Sequence, residues 1–204
     1  MEFWNSILTE KSWNKLQDLR KEKFKFILIG GWAAYLYTGQ HKSKDIDIII
    51  PDFNNLEVLK REYNLIKNDN LRKYEIKMDE IEIDIYLPYY SRLSIPLEDV
   101  LNKTENVMGF SVVSPEVLLV LKQGAEIDRR DSVKGQKDRI DIMTLLSYSK
   151  VDFNKYMLLL KKYKIKHFSK RLKEIIRNFK DIKHLNLNER KYAIIKKRIL
   201  KELL

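Results

Sequence analysis

Two short apolar runs constrain this chain more than anything else in it. Phe26-Ile27-Leu28-Ile29 and Ile48-Ile49-Ile50 are apolar at every position, the pattern of strands buried on both faces. The eighteen residues between them open on Gly30-Gly31 and close on Asp45-Ile46-Asp47. Trp32 to Tyr37 gives room for two helical turns, so the spacing predicts strand (24–29), glycine turn, helix, strand (45–50). Asp45 and Asp47 are two apart on the second strand and project from one face, while Ile46 points away. Two such carboxylates repel unless a cation lies between them, and hard oxygen ligands suit Mg²⁺ or Mn²⁺. The glycines let backbone approach a phosphate closely, and the helix that follows directs its free N–H groups at it. A phosphate cradle beside paired carboxylates is apparatus for phosphoryl or nucleotidyl transfer.

The rest of the chain predicts a small mixed sheet followed by helices. Trp4, Ile7, Leu8, Trp13, Leu16 and Leu19 mark a leading helix over 3–20. Leu56, Leu59, Tyr63 and Ile66 are spaced as one helix face, broken at Asn68-Asp69-Asn70. Tyr74, Ile76 and Met78, then Ile81, Ile83 and Ile85, alternate with polar residues around a turn at Asp79-Glu80, which reads as a hairpin. A short helix near 97–101 and a last strand over 108–113 follow. From Ser114-Pro115-Glu116, a helix-starting sequence, the chain is expected to be helical, with further helices over 137–146, 153–164, 168–179 and 188–203. Two domains are expected, 1–113 and 114–204. The fold class is α+β: a small mixed sheet with flanking helices, then a helical bundle.

Gly30-Gly31-Trp32-Ala33-Ala34 through Ser43-Lys44-Asp45-Ile46-Asp47 resembles the polymerase-β-like nucleotidyltransferase superfamily, most closely its minimal, abortive-infection-type members (AbiEii-like). Ala34 and Tyr35 stand where enzymes that add the CCA end of transfer RNA carry arginine and aspartate, which argues against that branch. The resemblance implies a metal-dependent transfer of a nucleotide from a nucleoside triphosphate to an acceptor hydroxyl, with Asp45 and Asp47 holding Mg²⁺ or Mn²⁺. It further implies a third carboxylate on a later strand. Asp84, within Ile81-Glu82-Ile83-Asp84-Ile85-Tyr86, is that residue by resemblance, with Glu82 as the fallback; periodicity alone reads both as a solvated strand face. Ser43 matches a serine beside the triphosphate, with Gly30 and Gly31. His41 stands where relatives often carry arginine, and water exposure explains it equally well. Lys122 resembles a lysine that reaches the nucleotide phosphates, and Lys137 and Asp138 fall in a basic loop and helix of the same group.

The charge is unevenly placed. Of the net +11, residues 150–204 carry eighteen Lys or Arg against five Asp or Glu, and residues 1–149 carry 22 against 24. Such asymmetry points to a polyanionic partner, most plausibly RNA such as a transfer RNA. Lys161, Lys162, Lys166 and Lys170 are candidate phosphate contacts, with Tyr163 and His167 available for stacking. A protein hydroxyl or a small molecule is the alternative acceptor, and a non-catalytic nucleic-acid-binding module is the third reading. The resemblance to toxin-like members also implies a possible antitoxin partner. No apolar run approaches a membrane span, no secretory signal is evident, and the chain has no cysteine, so a cytoplasmic, membrane-free setting is expected.

Overall fold

A computed structural model describes residues 6–78 and 80–203. The chain divides into two compact units, Met1–Ser114 and Pro115–Leu204.

The first unit opens with α1 (Ser6–Leu19), followed by β1 (Ile27–Ile29), α2 (Gly30–Thr38), β2 (Ile46–Ile49) and α3 (Phe53–Glu62). Then come β3 (Ile66–Asn68), β4 (Lys73–Met78), β5 (Ile81–Tyr86), a short 3-10 turn at Leu97–Asp99, β6 (Thr104–Val107) and β7 (Phe110–Val113). The strands form one seven-stranded sheet in the order β3-β4-β5-β2-β1-β7-β6. β1 is wholly buried and β2 is buried except at half-buried Asp47, because they occupy the middle of the sheet, in keeping with the apolar runs 26–29 and 48–50. β1 runs antiparallel to β2, whereas β2 and β5 are parallel, as are β1 and β7. Trp32 of α2 is fully buried; its indole N–H donates to Ser12 Oγ of α1 at 2.9 Å, and its ring packs 5.1 Å from Trp13. Large rings with a satisfied polar handle lock α1 onto α2.

The second unit contains α4 (Pro115–Arg129), α5 (Val133–Tyr148), α6 (Phe153–Lys162), α7 (His167–Asn178), a 3-10 turn at Ile182–Leu185 and α8 (Glu189–Glu202). Ser132, Asp152 and Asn188 cap α5, α6 and α8 by accepting backbone N–H bonds, each satisfying donors that a helix start leaves open. Most polar groups buried in this unit are paired: Glu126 accepts from Arg139 and Arg171, and Gln123 accepts from the Tyr156 hydroxyl at 2.7 Å, whereas the Thr144 hydroxyl has no partner among the described residues.

Three elements depart from the expectation. The helix thought to reach Ile66 ends at Glu62, and Ile66–Asn68 is an edge strand. The final strand is a hairpin: β6 pairs with β7 around Met108 and Gly109, both at positive φ (52° and 82°). That two-residue turn demands left-handed backbone at both positions. α5 begins at Val133, a turn before the apolar pattern becomes regular. Trp4 and Asp79 lie outside the described residues.

Candidate active site at the carboxylate row

The site is built where β1 meets α2. Ile29 is extended, offers no side-chain cap to the helix, and hands the chain to Gly30 at φ +67°, backbone that an L side chain rarely adopts. Space dictates glycine as firmly as the dihedral does. A Cβ on Gly30 would lie 2.0 Å from Asp47 Oδ2, and one on Gly31 would lie 2.4 Å from Ser43 Oγ. The two glycines therefore let Asp47 and Ser43 lie against the first turn of α2. Ser43 is buried in the loop before β2, where His41 is half-buried, and Asp45 occupies the bend just ahead of the strand.

Strand register sets the rest. Asp47 pairs with Ile29 on one side and with Asp84 on the other. Asp84 in turn pairs with Glu75 of β4. Directly opposed residues project from the same face, so Asp47, Asp84 and Glu75 form a row of carboxylates across three adjacent strands, one strand spacing (about 4.8 Å) apart. Ile83 and Ile85 fill the opposite, buried face.

Like charges this close need a counter-charge, and Lys73 supplies part of it. Its Nζ lies 2.6 Å from Asp84 Oδ2 and 3.1 Å from Glu75 Oε1. Burial by itself would pull the Lys73 ammonium below the ordinary lysine value, but Asp84 and Glu75 together hold it above. Burial works against ionised Glu75 too, and is outweighed by Asn68 and Lys73, leaving it below the usual range. Asp84 goes the other way. Burial raises it above the ordinary aspartate value, Lys73 only partly offsets this, and Glu75 and Asp45 add repulsion. Asp84 Oδ1 is buried without a hydrogen-bond partner. A buried acceptor left unmatched costs about 1–3 kcal/mol and marks a place where a donor or a cation fits.

That observation tests whether a divalent ion suits the site. Asp45, Asp47 and Asp84 supply the hard oxygen donors that Mg²⁺ and Mn²⁺ prefer, and the unmatched oxygen faces no competing donor. Among the described residues no group of three His, Cys, Asp or Glu side chains is placed to hold a metal ion. The donor set fits the ion in kind, with Lys73 holding Asp84 by its other oxygen.

Glu82 is exposed at the turn end of β5, remote in register from the Asp47 pairing. Nothing local in the sequence singles out Lys73 and Glu75. Their alternation with Tyr74 and Ile76 marked only an outward face, and the pairing of 75 with 84 is a tertiary fact. In the second unit, Lys122 is buried and lies 2.5 Å from Asp141. Asp138 takes a two-pronged contact from Arg129, at 2.7 and 3.0 Å, and Lys137 is half-buried beside it. Lys161, Lys162, Lys166 and Lys170 are exposed; Lys162 lies over the Tyr163 ring, and His167 stacks edgewise on Phe168.

No protein-family model matches this chain, and no curated protein matches its sequence. Solved structures do share its architecture. JHP933 from Helicobacter pylori superposes with a TM-score of 0.51 at 16% identity, over 98% of this chain and 94% of that one. An antigenic nucleotidyltransferase-like protein from Paracoccidioides brasiliensis matches 70% of this chain and 77% of its own, at 19% identity and a TM-score of 0.45. The likeness to JHP933 is one of fold and extends over nearly the whole of both chains.

Proposed function

We propose that the protein is a nucleotidyltransferase that moves a nucleoside monophosphate from a triphosphate to a hydroxyl on RNA. The observation that carries this reading is the row Asp47–Asp84–Glu75 ending against the uncapped, glycine-started first turn of α2. An anion-attracting helix start and a carboxylate row meet at Asp47.

Asp45, Asp47 and Asp84 would hold Mg²⁺ or Mn²⁺, which when bound neutralises triphosphate charge and favours the departing pyrophosphate. The backbone at Gly30 and Gly31 and the Ser43 hydroxyl orient the triphosphate. Lys122 is assigned to the phosphates by the resemblance alone. The acceptor oxygen attacks the α-phosphorus, the bond from that phosphorus to the pyrophosphate oxygen breaks, and the acceptor proton passes to the Asp84 carboxylate. Lys73 keeps Asp84 turned by its Oδ2. Catalysis is then mostly placement and charge stabilisation.

RNA as acceptor is supported by the cation excess of residues 150–204; a cationic small molecule would find no complement there. The toxin-like character and an antitoxin partner are part of the same reading and rest on the motif resemblance. No described helix is long and apolar enough to cross a membrane. The test is incubation with each labelled nucleoside triphosphate, Mg²⁺ and total RNA. Label in RNA that vanishes with Asp47→Asn is the expected result. Label on protein would move the acceptor, and none anywhere would overturn the enzyme.

A further inference from the structure

α7 and α8 enclose an open groove of about 510 Å³ whose lining is Lys173 and Arg177 from α7, and Ala193, Lys196, Lys197, Leu200 and Lys201 from α8. Five of these seven residues are cations, and no carboxylate lines the groove. Several cations elsewhere in this unit have carboxylate partners. Arg139 and Arg171 meet Glu126, Arg129 meets Asp138, and Lys122 meets Asp141. Lys173, Arg177, Lys197 and Lys201 make no ion pair among the described residues. Unneutralised charges at close quarters repel and lower stability, so their concentration on one groove calls for an external anion.

The groove walls are fixed. Lys196 Nζ donates to the Arg177 carbonyl at 2.7 Å, the Tyr192 hydroxyl donates to the Ile176 carbonyl, and Phe179 packs on Tyr192. Lys173 and Arg177 are four apart, as are Lys197 and Lys201, so each wall carries charges about 6 Å apart along its axis. That step is close to the spacing of successive phosphates along a nucleic-acid strand. The exposed lining is mostly apolar, made of the cation stems with Ala193 and Leu200, and holds no aromatic platform. Its lysines and its lack of aromatic side chains tell against a protein partner, since protein interfaces are depleted in lysine and enriched in aromatic anchors.

We infer that the α7–α8 groove is a phosphodiester-binding track for the RNA acceptor, gripping the backbone rather than reading bases. It takes up the RNA reading above, and relocates the contact from Lys161, Lys162, Lys166 and Lys170 to the two facing walls. Backbone contacts fix position without carrying sequence information, so affinity depends on salt and little on sequence.

The test is fluorescence anisotropy of the full chain with a labelled single-stranded RNA oligonucleotide, titrated between 50 and 200 mM salt. The variant Lys173→Gln/Arg177→Gln/Lys197→Gln/Lys201→Gln is compared with Lys161→Gln/Lys162→Gln/Lys166→Gln/Lys170→Gln, both verified as folded by circular dichroism. Each lost phosphate contact removes about 0.7 from the log–log salt slope for single strands, so the groove variant is expected to lose about 3 from the slope. Its affinity should fall by about 100-fold or more at the lower salt, with little change in the control and similar affinity for oligonucleotides of different sequence. Equal losses in both variants would mean diffuse attraction and overturn the track. So would tighter binding of a poly-glutamate chain of equal charge, which would point to an acidic protein. Failure of nucleotidyl transfer itself reads out separately, as absent incorporation by the wild type that still binds RNA.

Discussion

At the scale of single residues, the glycine pair is explained by what lies over it. Gly31 is small because Ser43 needs the space, so Gly31→Ala overpacks the turn, a change that costs about 1–3 kcal/mol. Adding Ser43→Gly should return most of the lost melting temperature by clearing the collision. Nucleotide affinity is expected to stay low in the double variant, because the hydroxyl that orients the triphosphate is gone. Calorimetry and nucleotide titration on the same samples separate the two outcomes; recovery of both would reduce Ser43 to packing. Lys73→Met addresses the carboxylate row from the other side. It leaves Asp84 and Glu75 partly buried without their shared cation, at a cost of roughly 1–3 kcal/mol. Mg²⁺ should then raise the melting temperature of the variant more than that of the wild type, since a divalent ion takes over the neutralisation. Adding Asp47→Asn to Lys73→Met should shrink that Mg²⁺ response. An unchanged response would remove the ion from Asp47. Turnover, by contrast, should fall by about 100-fold or more in Asp47→Asn alone, the scale of losing a principal electrostatic group.

Among the elements, the central strands were legible because both their faces are buried, which writes a continuous apolar run into the sequence. Asp45, Asp47, Ser43 and the glycines could be found because they sit within one strand–turn–helix–strand passage, where local spacing decides geometry. Glu75 and Lys73 could not, since only the register of β4 on β5 brings them to Asp84. The edge strands were hidden for a related reason: Ile66-Lys67-Asn68 and Thr104-Glu105-Asn106-Val107 bury little, so neither bears a hydrophobic pattern. Their polarity suits an edge, where exposed apolar strands invite pairing between molecules. In the helical unit the apolar periodicity gave the helices but not their buried polar links, of which Tyr156 to Gln123 is one. Burial pushes the Tyr156 hydroxyl far above the ordinary tyrosine value, the bond to Gln123 only partly opposing it. The protonated form is thus favoured by folding, and its stabilisation is complete below pH 10 and lost as pH rises beyond that value. Tyr156→Phe should cost about 1–3 kcal/mol at neutral pH by stranding Gln123 Oε1. Above pH 10 its stability should fall less steeply than that of the wild type, as urea titrations across pH would reveal; parallel curves would mean the hydroxyl is not protected by the fold.

For the molecule as a whole, the charge division matters more than the total. Residues 150–204 hold eighteen cations to five anions, whereas the preceding 149 are close to neutral. Self-repulsion within the last helices should be relieved by screening. Raising sodium chloride from about 10 to 200 mM, across which the Debye length shrinks from about 30 Å to below 10 Å, should therefore raise the melting temperature. The gain should disappear in the groove variant Lys173→Gln/Arg177→Gln/Lys197→Gln/Lys201→Gln. An equal gain in that variant would spread the repulsion beyond the groove. The carboxylate row has a consequence of a different kind, for the making of the protein rather than its use. Side chains alternate along a strand, so a slip of one residue between β5 and β2 would turn Ile83 and Ile85 to the wet face and drive Glu82 and Asp84 beneath the sheet. Two ionised carboxylates without partners there would cost several kcal/mol, a large part of a domain's whole stability. A chain that mispairs its central strands is therefore refused by the same acids the chemistry needs, and a folded molecule is one whose site is already in register.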